Sequence, residues 1–122
     1  MGLVLFAHGS RDALWRAPVE AIAAEIQRRQ PQTLVHCVYL EFGTLSLAQA
    51  AIKLIAAGAV LIRVMPVFIG YGKHVRVDLP LELDAVRAAH PGHVFELMPA
   101  AGEWPEVTSL LADIALQAPG TL

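Results

Sequence analysis

Three side chains able to bind a metal ion or move a proton stand far apart in this sequence but in equivalent surroundings. His8 follows a short apolar run in Ala7-His8-Gly9-Ser10-Arg11-Asp12, and Glu41 follows another in Tyr39-Leu40-Glu41-Phe42. His74 follows a third, in Gly70-Tyr71-Gly72-Lys73-His74-Val75-Arg76-Val77-Asp78-Leu79-Pro80. Two imidazoles and a carboxylate can hold a first-row divalent ion while leaving coordination positions open. An imidazole, with an unperturbed pKa of about 6.5, also accepts protons near neutrality. The plainer alternative for each histidine is a hydrogen bond to loop backbone.

Other residues invite chemistry less. His36 falls inside a predicted strand, and His90 and His93 flank a helix stop where a positive charge suits the helix dipole, so all three read as structural. Gly70, Gly72 and Lys73 lack the spacing of a phosphate-binding loop, and His74 stands where the hydroxyl residue would be, so no nucleotide is expected. Ser10 lies two residues from His8 without a G-x-S-x-G elbow, and it reads, like Asp12, as a turn or cap residue.

The elements that must position these groups alternate along the chain. Leu3–Ala7, Leu34–Leu40, Val60–Phe68 and Val94–Met98 are rich in Val, Leu and Ile without clean polar alternation, as in a parallel sheet covered on both faces. Each precedes a segment of helical periodicity. Val19, Ile22, Ala23 and Ile26 form the first apolar stripe, and Pro18 belongs in that helix's opening turn. Ser46 and Gln49 make a capping-box pattern ahead of Leu47, Ala50, Ala51, Leu54 and Ile55, with Gly58 as the stop. The third helix is expected to be capped by Asp78 or a neighbour, with Pro80 in its first turn and His90-Pro91-Gly92 at its end. The fourth is expected over about Pro105–Leu116, with Val107, Leu110, Leu111 and Ile114 turned inward. The pattern predicts one α/β domain over residues 1–122, with a small open, mainly parallel four-stranded sheet and helices on both faces. In such folds the ligand site lies beyond the carboxyl ends of the strands, where His8, Glu41 and His74 fall.

Composition limits the alternatives. Among the 122 residues, 56% are hydrophobic and 16% charged, which excludes a disordered chain. Nine Lys and Arg stand against eleven Asp and Glu, with no basic run to neutralise a series of phosphates, so nucleic acid is not an expected partner. Leu54–Gly72 is almost uncharged, but Arg63, Gly58, Pro66, Gly70 and Gly72 break it into soluble elements rather than a membrane span. The opening residues lack a basic export signal, and Cys37, the single cysteine, reads as a small buried hydrophobe in a strand; both suit a cytoplasmic protein.

These motifs resemble the single-lobe class II chelatases of cobalamin and sirohaem synthesis, which insert a divalent metal into sirohydrochlorin. The resemblance covers nearly the whole chain. It rests on His8-Gly9-Ser10-Arg11, on Tyr39-Leu40-Glu41 with Ser46-Leu47, and above all on Pro66-Val67-Phe68 leading to Gly72-Lys73-His74-Val75 and Asp78-Leu79-Pro80. It implies a flavodoxin-like half-chelatase that pairs as a homodimer. It also implies that His8 and His74 bind the metal and accept the pyrrole protons, with Glu41 as a third ligand. The metal, as substrate, would be Co²⁺ first, with Fe²⁺ or Ni²⁺ as alternatives. Because the implied macrocycle bears many carboxylates, Arg11, Lys73 and Arg76, and less so Arg16, are candidates for its rim. Phe42, Phe68 and Tyr71 are candidates for its faces. One departure is local: Phe42-Gly43-Thr44-Leu45 replaces a stretch where relatives often place a proline before the Ser-Leu pair.

Two rivals use the same residues. A non-catalytic tetrapyrrole or metal carrier would bind without accelerating insertion. A small hydrolase on the same scaffold would depend on Ser10, since fold alone does not fix function.

Overall fold

The computed structural model of the chain describes residues 1–120. Strands β1 (Gly2–Ala7), β2 (Leu34–Tyr39), β3 (Leu61–Pro66) and β4 (Val94–Leu97) alternate with helices α1 (Ala17–Arg29), α2 (Leu47–Ala56), α3 (Lys73–Ala89) and α4 (Pro105–Ala115). Short 3₁₀ turns at Ala13–Arg16 and Ala101–Glu103 precede α1 and α4. All pairings are parallel and the sheet order is β2-β1-β3-β4. The expected α/β architecture is present; β1 ends at Ala7 as expected, and β2, β3 and β4 end one or two residues earlier than their apolar runs suggest.

The two faces of the sheet differ. On one, Val4, Phe6, Val38, Ile62, Val64 and Phe95 meet Leu47, Ala50, Ala51 and Leu54 of α2 and Leu79, Leu83 and Val86 of α3, all buried. Removing a side chain such as Leu54 from water contributes roughly 1.5–3 kcal/mol. On the other face, Val19, Ala23 and Ile26 of α1 pack on Leu5, Ala7, Val35, Cys37, Tyr39 and Met65. Cys37 is half-buried there, and burial pushes its thiol pKa up.

Local chemistry sets the helix starts. Asp12 accepts from the Leu14 N–H at 2.9 Å and Ser10 Oγ accepts from the Asp12 N–H at 3.2 Å, so both serve as turn and cap residues. The capping box forms as read: the Gln49 N–H donates to Ser46 Oγ at 3.1 Å and the Ser46 N–H donates to Gln49 Oε1 at 2.8 Å. Gly58 follows the helix with φ 101°, a stop that suits glycine.

Two expectations are corrected. The third helix starts at Lys73, with Gly72 as its N-cap, so Asp78 does not cap it and Pro80 lies inside it. The buried residues Leu79, Leu83 and Val86, with half-buried Val75, extend one stripe back into the first turn, and that packing sets the start. The stripe Val107, Leu110, Leu111 and Ile114 is not turned inward, for no residue of α4 is buried. The turn before it fixes the exit direction: the Gly102 N–H donates to the Phe68 carbonyl at 2.8 Å, and the Ala100 N–H to Glu103 Oε2 at 2.7 Å. Among the described residues, no helix is long and apolar enough to cross a membrane.

Candidate active site

The path from β1 to β2 runs over one face and the path from β2 to β3 over the other, so the chain reverses direction across the sheet between β1 and β3. A crevice forms beyond the carboxyl ends of strands at such a point. His8 leaves β1 at this crevice, and His74 enters α3 just after β3.

Backbone pairing runs past the strands and ties the loops together. The Leu40 N–H donates to the Ala7 carbonyl at 2.8 Å, the Glu41 N–H to the His8 carbonyl at 2.9 Å, and the Val67 N–H to the Phe6 carbonyl at 2.7 Å. Gly9 is required by this closeness. Its φ is 81°, and a Cβ there would collide with the Glu41 carbonyl oxygen and lie 2.9 Å from Tyr39 Cβ. Phe42 adopts φ 56°, a left-handed conformation uncommon outside glycine, and its ring lies under the Arg11 guanidinium at 5.1 Å.

Aromatic rings support the histidine. The His8 ring packs edge-on against Phe68 at 4.4 Å, and Phe68 in turn meets Phe6 at 6.1 Å and Tyr71 at 5.7 Å. Phe68 is only 4% exposed, so it props His8 from below and does not itself line a ligand's face, contrary to the sequence reading. Phe42 is exposed and Tyr71 half-buried, and both remain accessible.

His74 lines a small cavity of about 90 Å³ with Phe6, Leu40, Val75, Asp78, Leu79 and Glu82. Phe6 thus touches both the ring that supports His8 and the cavity that His74 lines. Asp78 and Glu82 follow His74 at intervals of four on one helical face, a spacing that could have marked them as site residues. Burial, and next the charge of Asp78, pushes the Glu82 carboxyl above the usual carboxylate range. A larger cavity of about 420 Å³ lies at the amino end of the sheet, lined by Met1, Gln30, Pro31, Gln32 and Thr33. It presents no titratable side chain.

Lys73, His74 and Arg76 are exposed in the first turn of α3, which has no acidic residue. The partial positive charge of a helix N-terminus disfavours cations and favours anions. Arg11 is exposed nearby in sequence to His8, and Arg16 is half-buried before α1. Glu41 is exposed beside His8 in backbone terms. Among the described residues, no three His, Cys, Asp or Glu side chains gather closely enough to hold a metal ion, so His8, Glu41 and His74 surround the crevice without forming a closed ligand set. His90 and His93 lie before β4, at the opposite end of the sheet from this crevice, with rings 6.3 Å apart. His36 lies in β2, its pKa lowered by burial and then by Lys53.

Known proteins are similar to this chain in sequence and fold. The CbiX family profile matches residues 2–118. A sirohydrochlorin cobaltochelatase of Methanococcus aeolicus is 35% identical over 78 residues, 64% of this chain and 54% of the relative. One of Sulfolobus acidocaldarius is 35% identical over 83 residues, 68% of this chain and 66% of the relative. The matched stretches thus span about half to two-thirds of those relatives. Among solved structures, one described as a cobalamin (vitamin B12) biosynthesis CbiX protein of Marinobacter aquaeolei VT8 superposes with TM-score 0.78 at 26% identity, covering 93% of this chain and 92% of that one. The sirohydrochlorin chelatase SirB of Bacillus subtilis subspecies spizizenii, in complex with cobalt, superposes with TM-score 0.73 at 19% identity, covering 93% of this chain and 50% of that one, a likeness of fold. With nearly its whole length matched, the chain belongs to the CbiX family.

Proposed function

We propose that this chain inserts a divalent metal ion, Co²⁺ in the first place and Fe²⁺ or Ni²⁺ as alternatives, into sirohydrochlorin, acting as one chelatase-type lobe paired with a second copy. The observation that supports the reading is that His8, just after β1, and His74, in the first turn of α3 after β3, both lie beyond the carboxyl ends of the two neighbouring strands where the chain reverses. The names of its relatives agree with it.

Insertion exchanges two pyrrole N–H protons for one M²⁺. The ion must shed water, approach a face of the macrocycle and displace those protons, so a catalyst needs an open ligand set, a means of orienting the ring and a base for each proton. His8 and His74 serve as ligands and proton acceptors, and Glu41 as a third ligand. An incomplete ligand set suits an ion that must leave for the ring. Lys73 and Arg76 at the start of α3, with Arg11, attract the macrocycle's carboxylates, while Phe42 and Tyr71 offer apolar surface to its faces. Asp78 and Glu82 give a route along α3 by which protons leave His74.

The test is the visible spectrum of sirohydrochlorin followed over time with Co²⁺, Fe²⁺ or Ni²⁺, with and without protein. Faster insertion than the uncatalysed background for at least one metal is expected. Binding without faster insertion would replace the enzyme with a carrier, and dependence on Ser10 in a hydrolytic assay would point to the hydrolase.

A further inference from the structure

The backbone that carries Phe68, the ring packed against His8, is held from two sides. Towards β1 the Val67 N–H donates to the Phe6 carbonyl at 2.7 Å, and towards the exit of β4 the Phe68 carbonyl accepts from the Gly102 N–H at 2.8 Å. Gly102 lies in the turn Ala101–Glu103, far along the chain from both histidines of the crevice.

Contact, and not conformation, demands a glycine at this position. Its φ lies outside the left-handed region that Gly9 and Gly58 occupy, yet a Cβ would collide with the Ile69 carbonyl group and lie 2.8 Å from Ile69 Cα. These are backbone atoms, which cannot swing aside as the tip of a side chain can. The Ile69 side chain is 70% exposed, so the close approach serves the backbone and not core packing. The turn itself is stiff: the Ala100 N–H donates to Glu103 Oε2 at 2.7 Å, Trp104 Nε1 donates to the Pro99 carbonyl at 3.1 Å, and Ala100 is buried. A side chain at position 102 would therefore displace the Ile69 peptide.

That displacement has one direction in which to travel. Ile69 follows Phe68 directly, and the Phe68 ring, itself buried, meets His8 with ring planes 61° apart. Its other close neighbour on β1, Phe6, is buried in the sheet and cannot yield, whereas His8 is exposed and can. Towards α3 the strain dissipates. Gly70 and Gly72 have open space where a Cβ would stand, and α3 is anchored by buried Leu79, Leu83 and Val86.

We propose that Gly102 is a positioning residue for His8: its missing side chain lets the exit of β4 clamp the Phe68–Ile69 backbone, and the clamped Phe68 ring fixes the imidazole. The inference rests on His8 acting in the proposed reaction, but the placement of the ring can be read without metal or macrocycle.

The experiment uses the full chain with Gly102→Ala, checked for folding by circular dichroism. Imidazole proton and ¹⁵N resonances of the five histidines are recorded in the metal-free protein. His8, which loses its fixed place beside the Phe68 ring, should shift, while His36, His74, His90 and His93 keep the parent positions. In Co²⁺ insertion into sirohydrochlorin, kcat should fall about 10- to 100-fold with KM within about twofold, as expected when a reacting group is misplaced from a distance. Glu103→Ala, which frees the turn without adding bulk, should shift His8 by a smaller amount, and it decides the matter if Gly102→Ala does not fold. An unmoved His8 in the folded variants, or a shift of all five histidines together, overturns the inference. A moved His8 with the parent rate of insertion overturns the role of His8 in the reaction, and with it that of Gly102.

Discussion

The two ends of the sheet are built from the same kinds of residue to different purposes. At the amino end, α2 runs to β3 through Gly58, whose positive φ meets open space, and α3 runs to β4 past His90 and His93, where the Arg87 guanidinium donates to the Phe95 carbonyl at 3.0 Å. At the carboxyl end, Gly9 is wedged against Glu41, Phe42 holds a left-handed backbone, and basic side chains gather at a helix N-terminus. Histidines occur at both ends, so residue type does not separate them. Strain, unfavourable charge placement and exposure do, and these features concentrate where function outweighs stability.

Substitutions can sharpen this contrast. The largest effect on stability is expected for Gly9→Ala, since strain from a left-handed alanine adds to the collision with Glu41; a loss of about 2–3 kcal/mol should appear in urea unfolding, together with loss of metal insertion. Gly58→Ala has the same kind of backbone but free space around it, so about 1 kcal/mol is expected, with insertion intact. Equal costs at the two glycines would break the comparison. Ser46→Ala removes one hydrogen bond of the α2 capping box and should also cost about 1 kcal/mol in thermal or urea unfolding.

The smallest effect concerns pH. Burial, and next Asp78, raises the Glu82 pKa, so the folded state holds that proton more tightly than the unfolded chain. As pH rises from the ordinary glutamate value through the raised one, the unfolded state ionises first and folding stability falls. Glu82→Gln should therefore match the parent in acid and be slightly more stable at neutral pH. Identical melting profiles at every pH would remove Glu82 from the cavity's electrostatics.

Much of this was legible in the sequence, for identifiable reasons. Strands buried on both faces leave unbroken apolar runs, and the Ser46–Gln49 box acts through local hydrogen bonds, so both could be read residue by residue. His8, Glu41 and His74 could be placed at one edge because parallel strands share a direction. The rest depends on long-range packing. Gly9 owes its necessity to Glu41, a neighbour only once β1 and β2 pair. The start of α3 follows a stripe that Pro80 disguised, and with it went the alignment of His74, Asp78 and Glu82. The apolar pattern of α4 was visible, but that none of its residues is buried among the described residues depends on the braced turn at Gly102.

The most direct test compares the two ends in one reaction. The rate of Co²⁺ insertion into sirohydrochlorin, corrected for the uncatalysed background, would be measured for the parent, His74→Ala and His93→Ala, each checked for folding by circular dichroism. His74→Ala should lose on the order of 100-fold or more and approach background, as expected when an acid–base and ligand group is removed, while His93→Ala should keep the parent rate. Equal rates for the parent and His74→Ala would contradict the assignment of chemistry to the carboxyl edge of the sheet.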